Sequence, residues 1–204
     1  MSLVAWILVL LALAVVATRR LSTAVVLVAA QSLLVAGAAL ALAPGRSWEF
    51  LVACLALSAK ALLIGGALLW TARRTRELQP LVEDFSPLTR AAGTATFAAA
   101  AVALVPRFGL PSHVAEGGAV ALVAIGLATA VARKATLMQA LGLVVAENGI
   151  AFAAAAAGGG IPLVIEIGAV FDLIVLVAVA TALHERIFDL FGTGDSTRLQ
   201  ELRD

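Results

Sequence analysis

The chain has 204 residues, 62% of them hydrophobic and 13% charged, with a net charge of +1 and a mean hydropathy of +1.06. A soluble domain of this length is closer to half apolar, so a soluble globular protein is excluded and an integral membrane protein is implied. No basic run with interleaved aromatics is present, which excludes nucleic acid as a partner, and the single Cys54, inside an apolar run, excludes an internal disulfide.

Taken in order, the apolar runs predict seven membrane helices. The opening stretch, Met1 to Thr18, has no charged segment before its apolar run and carries its arginines behind it. It reads as a first span, Leu3 to Ala17, and not as a secretory signal. The second run is Leu21 to Ala43, ending in the turn Pro44-Gly45-Arg46-Ser47, and the third is Phe50 to Ala72. The only long polar stretch follows, Arg73 to Arg90, with Pro80 and Pro87. The fourth run is Ala91 to Val105 and is rich in alanine; a loop from Pro106 to Glu116 leads to the fifth, Gly117 to Ala132. The sixth and seventh, about Ala135 to Ala157 and Ile161 to Leu183, are joined by Gly158-Gly159-Gly160-Ile161-Pro162. Runs one, four and five fall short of the roughly 20 residues needed to cross a hydrocarbon core and borrow flanking residues. Backbone groups in lipid pair within their own segment, so each span is taken as a helix. The expected fold is an all-α integral membrane protein.

Basic residues set the expected orientation. With the amino terminus outside, the cytoplasmic side holds Arg19, Arg20, Arg73, Arg74, Arg76, Arg90, Arg133, Lys134, Arg186, Arg198 and Arg203, against Arg46 and Arg107 outside. The carboxyl terminus is then cytoplasmic. On this reading Arg133 and Lys134 are topology anchors, and Glu49 and Glu116 are solvated residues at the outer ends of spans.

The first three spans resemble the last three. Val28-Ala29-Ala30-Gln31-Ser32 aligns with Val144-Val145-Ala146-Glu147-Asn148, behind Arg19-Arg20 in one case and Arg133-Lys134 in the other. Lys60 and Asp172 fall at nearly the same depth in the spans that follow. The expected organisation is a three-helix repeat over residues 1–72, a linker, fourth helix and outer loop over 73–116, a second repeat over 117–184 running parallel to the first, and a polar tail over 185–204. Parallel repeats of this kind occur in transporter folds. The alternative is that alanine-rich membrane helices resemble each other by composition; the repeat is favoured because the polar positions match and not only the apolar ones. Gly65-Gly66 and the alanine runs suggest close helix packing.

Gln31, Lys60, Glu147 and Asp172 each fall near the centre of a different span, with Ser58, Gln139 and Asn148 as lesser polar neighbours. An ionisable group at the bilayer midplane costs on the order of 3 kcal/mol or more and usually faces a bundle interior or a wet cavity. Glu166 lies six residues before Asp172, about 9 Å nearer the outer surface and roughly 120° around the helix. His184 stands at the inner end of the last span, where a cation is favoured by the helix dipole. Desolvation favours the neutral form of a carboxyl group, which can then exchange a proton near neutral pH. Glu147, Asp172, Glu166, Lys60, His184, Gln31 and Asn148 are therefore candidates for a lateral proton-transfer chain. The alternative is a structural ion pair, for instance Lys60 with Asp172, that fixes packing. No phosphate-binding glycine loop, catalytic serine or cysteine setting, metal-ligand spacing or haem ligand set is present, so no cofactor is expected and the chain is not expected to be an enzyme by itself.

The stretch from Arg133 to Arg186 resembles the three-helix K subunit of respiratory complex I and the related C subunit of multisubunit cation/proton antiporters. Arg133-Lys134, Gly142-Leu143, Glu147, Asp172 and His184-Glu185-Arg186 carry the likeness. Glu147 stands about one turn further from Gly142-Leu143 than in the K subunit, and the second acid is an aspartate. Over its whole length the chain is most similar to the hydrogenase-4 component E family, membrane subunits of formate hydrogenlyase-type and other complex I-related assemblies. The resemblance implies a non-catalytic subunit in a bacterial cytoplasmic membrane, between a large antiporter-like subunit and the one anchoring a redox module. It implies that Glu147 and Asp172 carry protons, or sodium ions, along the membrane arm. A stand-alone secondary transporter or exporter, with Lys60 and Glu147 in a substrate site between repeats, and a purely structural membrane scaffold are the other two readings.

Overall fold

The computed structural model describes the backbone of residues 2–42, 48–74, 85–157 and 163–191, with side chains there except at 42, 48–54, 56–57, 60–61, 72, 74, 163–172 and 191. Every regular element in these segments is helical. The seven helices are α1 (Ser2–Ala17), α2 (Leu21–Leu42), α3 (Trp48–Arg74), α4 (Pro87–Leu104), α5 (His113–Ala132), α6 (Thr136–Ala156) and α7 (Leu163–Phe191). Among the described residues three helices, α2, α5 and α6, are long and apolar enough to cross a membrane. The helices carry apolar side chains on their outer faces as well: Leu3, Trp6, Leu10, Leu62, Trp70 and Val131 are all exposed. A helix that is apolar all round suits a lipid-facing or fully buried setting, not a water-facing one.

Helix ends depart from the apolar runs where a polar residue finds a backbone partner. The helix α4 begins at Pro87, four residues before the run, because Ser86 Oγ accepts from Thr89 N at 3.1 Å and proline fits the first helical position. Ser112 Oγ accepts from Ala115 N at 3.3 Å and starts α5 at His113, so Glu116 joins the helix. The last helix runs on to Phe191, beyond the expected end at Leu183 and into the expected polar tail. The loop at 158–162, the turn at 43–47 and the middle of the polar linker lie outside the described residues.

The helices pack as three adjoining units. The first is a triangle of α1, α4 and α5; the second is a square of α1, α2, α6 and α5; the third is a square of α2, α3, α7 and α6. Helix α1 thus lies against α5, α2 against α6 and α3 against α7.

The closest approach is between α5 and α6, and glycine permits it. A Cβ added at Gly126 would lie 2.5 Å from the Gly142 carbonyl oxygen, and one at Gly142 would lie 2.6 Å from Ala130 N. A Cβ at Gly149 would meet Ala119 O at 3.0 Å. Small residues that let two backbones touch are the usual means of helix association in lipid. Gly65 has only ordinary contacts at 3.7 Å to Ala29 and Val25, and Gly66 has nothing within 4 Å. The tight glycines between α5 and α6 are therefore Gly126, Gly142 and Gly149, and Gly118 is tight against α1, where an added Cβ would meet Ala5 Cβ at 2.9 Å; the Gly65-Gly66 pair is not.

Candidate functional site

The third unit carries the residues that the sequence singled out. Gln31 on α2, Lys60 on α3, Asp172 on α7 and Glu147 on α6 belong to its four helices, and each helix touches two of the others in a closed ring. The side chains of Lys60, Glu166 and Asp172 lie outside the described residues, as does the ion pair considered between Lys60 and Asp172.

Gln31 and Asn148 do come together. Gln31 is 0% and Asn148 1% exposed, and both sit near the midpoints of their helices. Gln31 Nε2 donates to the carbonyl oxygen of Leu8 on α1 at 3.0 Å. A carbonyl accepts only, so this contact fixes the amide's orientation and turns Gln31 Oε1 toward α6. There Asn148 Nδ2 donates to Oε1 at 3.1 Å. Ser32 completes the group: its hydroxyl accepts from Asn148 Nδ2 at 2.9 Å and donates to Asn148 Oδ1 at 3.0 Å. The result is a directed chain of hydrogen bonds from α6 through α2 to α1. Ser32 and Asn148 are the residues that the alignment of the two halves makes equivalent. Ser32 was not among the candidates, although that alignment already held it.

Glu147 is half-buried on α6, with Oε2 withdrawn from solvent. Its direction follows from its neighbours. Gly142, Ala146 and Gly149 face α5, and Asn148 faces α2. At 100° per residue, Glu147 lies about 140° from Gly142 and 60° from Val144. Val144 lines a small cleft with Val25, Val28, Ala29, Ser32, Ile64, Gly65 and Leu141 between α2, α3 and α6. Glu147 is thus turned away from α5, to the flank of α6 nearest the ring. The cleft has a volume of about 10 Å³, room for roughly one water.

His184 is fully buried on α7, with its ring 6.4 Å from that of Phe188 one turn on. Because α7 continues to Phe191, His184 is an interior residue of the helix, not the cation at its C-terminus that the sequence suggested. It lies about 18 Å along the axis from Asp172. Among the described residues no group of three or more His, Cys, Asp or Glu could hold a metal.

Two other readings are corrected. Glu116 is not solvated: it is 5% exposed, and Oε1 accepts from the backbone N–H groups of Phe108 and Gly109, the latter at 3.2 Å. Gly109 has φ +84°, the left-handed conformation that lets the loop turn back onto this carboxylate. Arg133 is more than a topology anchor. It is 3% exposed, and Nη2 donates to Val16 O and Thr18 O at 2.8 Å and to Val15 O at 3.3 Å. Arg90 Nη2 reaches Ala17 O at 3.4 Å. A helix leaves its last four carbonyls without intrahelical partners; Thr18 N takes Ala14 O, and two arginines from α4 and the end of α5 take the rest. Gln139 Nε2 in turn donates to Arg133 O at 2.7 Å, tying the start of α6 to the end of α5.

Against known proteins, "Uncharacterized protein Rv0085" of Mycobacterium tuberculosis (strain ATCC 25618 / H37Rv) is 37% identical over 158 residues, covering 75% of this chain and 71% of the relative. The chain belongs to that protein's family. No protein-family model matches it, and no solved structure does.

Proposed function

We propose that this chain is a non-catalytic membrane subunit of a complex I-related hydrogenase or a similar redox-driven ion pump, carrying part of a lateral proton path. The observation that carries the reading is the ring of α2, α3, α7 and α6. Its four helices are those that bear Gln31, Lys60, Asp172 and Glu147, and Glu147 stands at the middle of a helix apolar enough to span a bilayer. In this proposal Glu147 and Asp172 hold and release protons, Lys60 modulates them by charge, and Glu166 and His184 extend the path along α7. Gln31 and Asn148 are engaged at both amide ends and do not titrate, so they position the helices and do not carry protons themselves.

The proposal takes all seven helices as spans, arranged as two parallel three-helix repeats with α4 between them. The pairing of α1 with α5, α2 with α6 and α3 with α7 supports this, as does the Ser32–Asn148 contact. The ends of α1 and α5 and the start of α4, with Arg19, Arg20, Arg90, Arg133 and Lys134, would face the cytoplasm. Antiporter-like membrane subunits are the proposed neighbours.

The test is proton pumping by the whole assembly carrying Glu147→Gln and Asp172→Asn. Pumping should fall by half or more in each, with assembly intact. Undiminished pumping in the double variant rejects the proposal.

A further inference from the structure

Five basic residues that are scattered in sequence meet at one end of the bundle. Arg133 and Arg90 both touch the last carbonyls of α1. Arg19 and Arg20 follow directly in the α1–α2 turn and are exposed, and Lys134 follows Arg133 in the α5–α6 turn. No acidic residue is present in residues 2–42 or 85–115. On α5 the one acid, Glu116, is at the opposite end, about 25 Å away along the axis. On α6 the acid is Glu147, at mid-helix, and on α7, which packs on α3 and α6, Glu185 and Asp189 stand in the last two turns.

Helices of both polarities meet here, since α1 and α5 end where α2, α4 and α6 begin. The negative end of α1 is covered, since Val15, Val16, Ala17 and Thr18 present their carbonyls to Arg133 and Arg90. The helices α2, α4 and α6 all begin here, each contributing about half a positive charge at its N-terminus. What faces outward is the pair Arg19 and Arg20 over three helix N-termini, at a depth where a membrane protein meets lipid headgroups. Guanidinium groups suit phosphate because their paired N–H donors match its oxygens.

We infer that this end of the bundle binds a phosphate group, presented by an anionic phospholipid, with Arg19 and Arg20 as its ligands and Arg90 and Arg133 as the fixed floor beneath them. Arg133 and Arg90 hold the α1–α2 turn in place by its carbonyls, so the two exposed guanidinium groups are offered from a rigid support. A basic cluster on the cytoplasmic side is the usual footprint of headgroup recognition. The inference stands apart from the pump reading, since none of these residues lies in the ring.

The experiment uses the full chain purified in neutral detergent. Binding of phosphatidylglycerol, phosphatidylcholine and inorganic phosphate is compared by native mass spectrometry and by the shift in thermal unfolding. Phosphatidylglycerol should be retained and should raise the unfolding temperature, while phosphatidylcholine should not. One basic residue at a membrane surface changes affinity about fivefold, so Arg19→Gln with Arg20→Gln should weaken phosphatidylglycerol binding about 25-fold. Arg107→Gln, at the other end, should leave it unchanged. If the glutamine variant does not fold, Arg19→Lys with Arg20→Lys keeps the charge and should lose a few-fold through the missing paired donors. Stabilisation by inorganic phosphate as strong as by the lipid would assign the same site to soluble phosphate and overturn the lipid as its source. Equal retention of both lipids, or phosphatidylglycerol binding untouched in both arginine variants, overturns the site.

Discussion

The triangle of α1, α4 and α5 and the ring of α2, α3, α7 and α6 treat polar residues in opposite ways. In the triangle three charged side chains at helix ends are answered by backbone: Arg90 and Arg133 by carbonyls at the end of α1, Glu116 by the N–H groups of Phe108 and Gly109. The four helices of the ring instead carry polar and charged residues at mid-length. Helix α6 joins the ring to the triangle, with a glycine face against α5 and an amide face against α2. Without a hydrophobic force between helices in lipid, close packing of small residues and interhelical hydrogen bonds are the two available means of association. This protein uses one on each side of the same helix. The glycine side makes a fixed base; the amide side ties α6 to α2, and α2 to α1, by hydrogen bonds at mid-helix.

The largest effect that tests this contrast is expected on the glycine face. In Gly142→Val the new Cβ would fall 2.7 Å from Gly126 O and 2.6 Å from Ala130 N, both backbone atoms that cannot turn aside. Separating the two helices should cost about 3 kcal/mol or more and should abolish a monodisperse folded species in detergent. A variant with wild-type unfolding temperature would show that α5 and α6 are not in backbone contact.

A smaller effect is expected on the amide face. Asn148→Ala removes the donor to Gln31 and leaves a buried amide oxygen unsatisfied, a loss of about 1–3 kcal/mol. A double-mutant cycle with Ser32→Ala should give a coupling of about 0.6 kcal/mol and no more than about 1.7 kcal/mol, the average and the maximum for interhelical hydrogen bonds in a membrane protein. Additive single effects would separate Ser32 from Asn148 and remove the polar seam between the two halves. Smaller again is Arg133→Gln, which leaves three carbonyls of α1 to water at a helix end. About 1 kcal/mol is expected, read as faster proteolysis or amide exchange at residues 15–20 with the rest of the chain unchanged.

The apolar runs made most of the helices legible, because length and hydropathy alone define a segment that must pair its own backbone. The starts of α4 and α5 were four residues earlier than the runs, yet Ser86-Pro87 and Ser112 are ordinary N-terminal cap signals that the apolar count overlooked. Gln31 and Asn148 stood out because a polar residue at mid-helix is costly, but the alignment of Ser32 with Asn148 carried no sign of the contacts between them. Arg133 was not legible. Beside Lys134 at a helix end it looks like any topology anchor, and only the packing of α5 on α1 turns it inward. Glu116 was misjudged for a related reason: nothing local shows that the loop from Phe108 folds back over it. The tight glycines had a usable pattern, since Gly142, Ala146 and Gly149 share one face of α6, but the adjacent pair Gly65-Gly66 drew attention first.

That pair gives the smallest prediction and a check on the glycine argument itself. If glycine matters only where backbones touch, alanine at Gly65 and Gly66 should be tolerated. At Gly65 the added methyl meets Ala29 and Val25 at ordinary contact distance, and at Gly66 it meets nothing within 4 Å. Alanine is the better helix former by up to about 1 kcal/mol, so Gly66→Ala should leave stability unchanged or raise it by a few tenths of that amount, measured by thermal unfolding of the isolated chain. Gly66 is exposed, and the same variant also probes what lies beyond the bundle. A chain that unfolds normally on its own but no longer co-purifies with its neighbours would mark the Gly66 face of α3 as a surface where another helix packs. A chain destabilised in isolation would instead show that small residues on α3 serve a close contact within the ring, and the contrast drawn between the two regions would weaken.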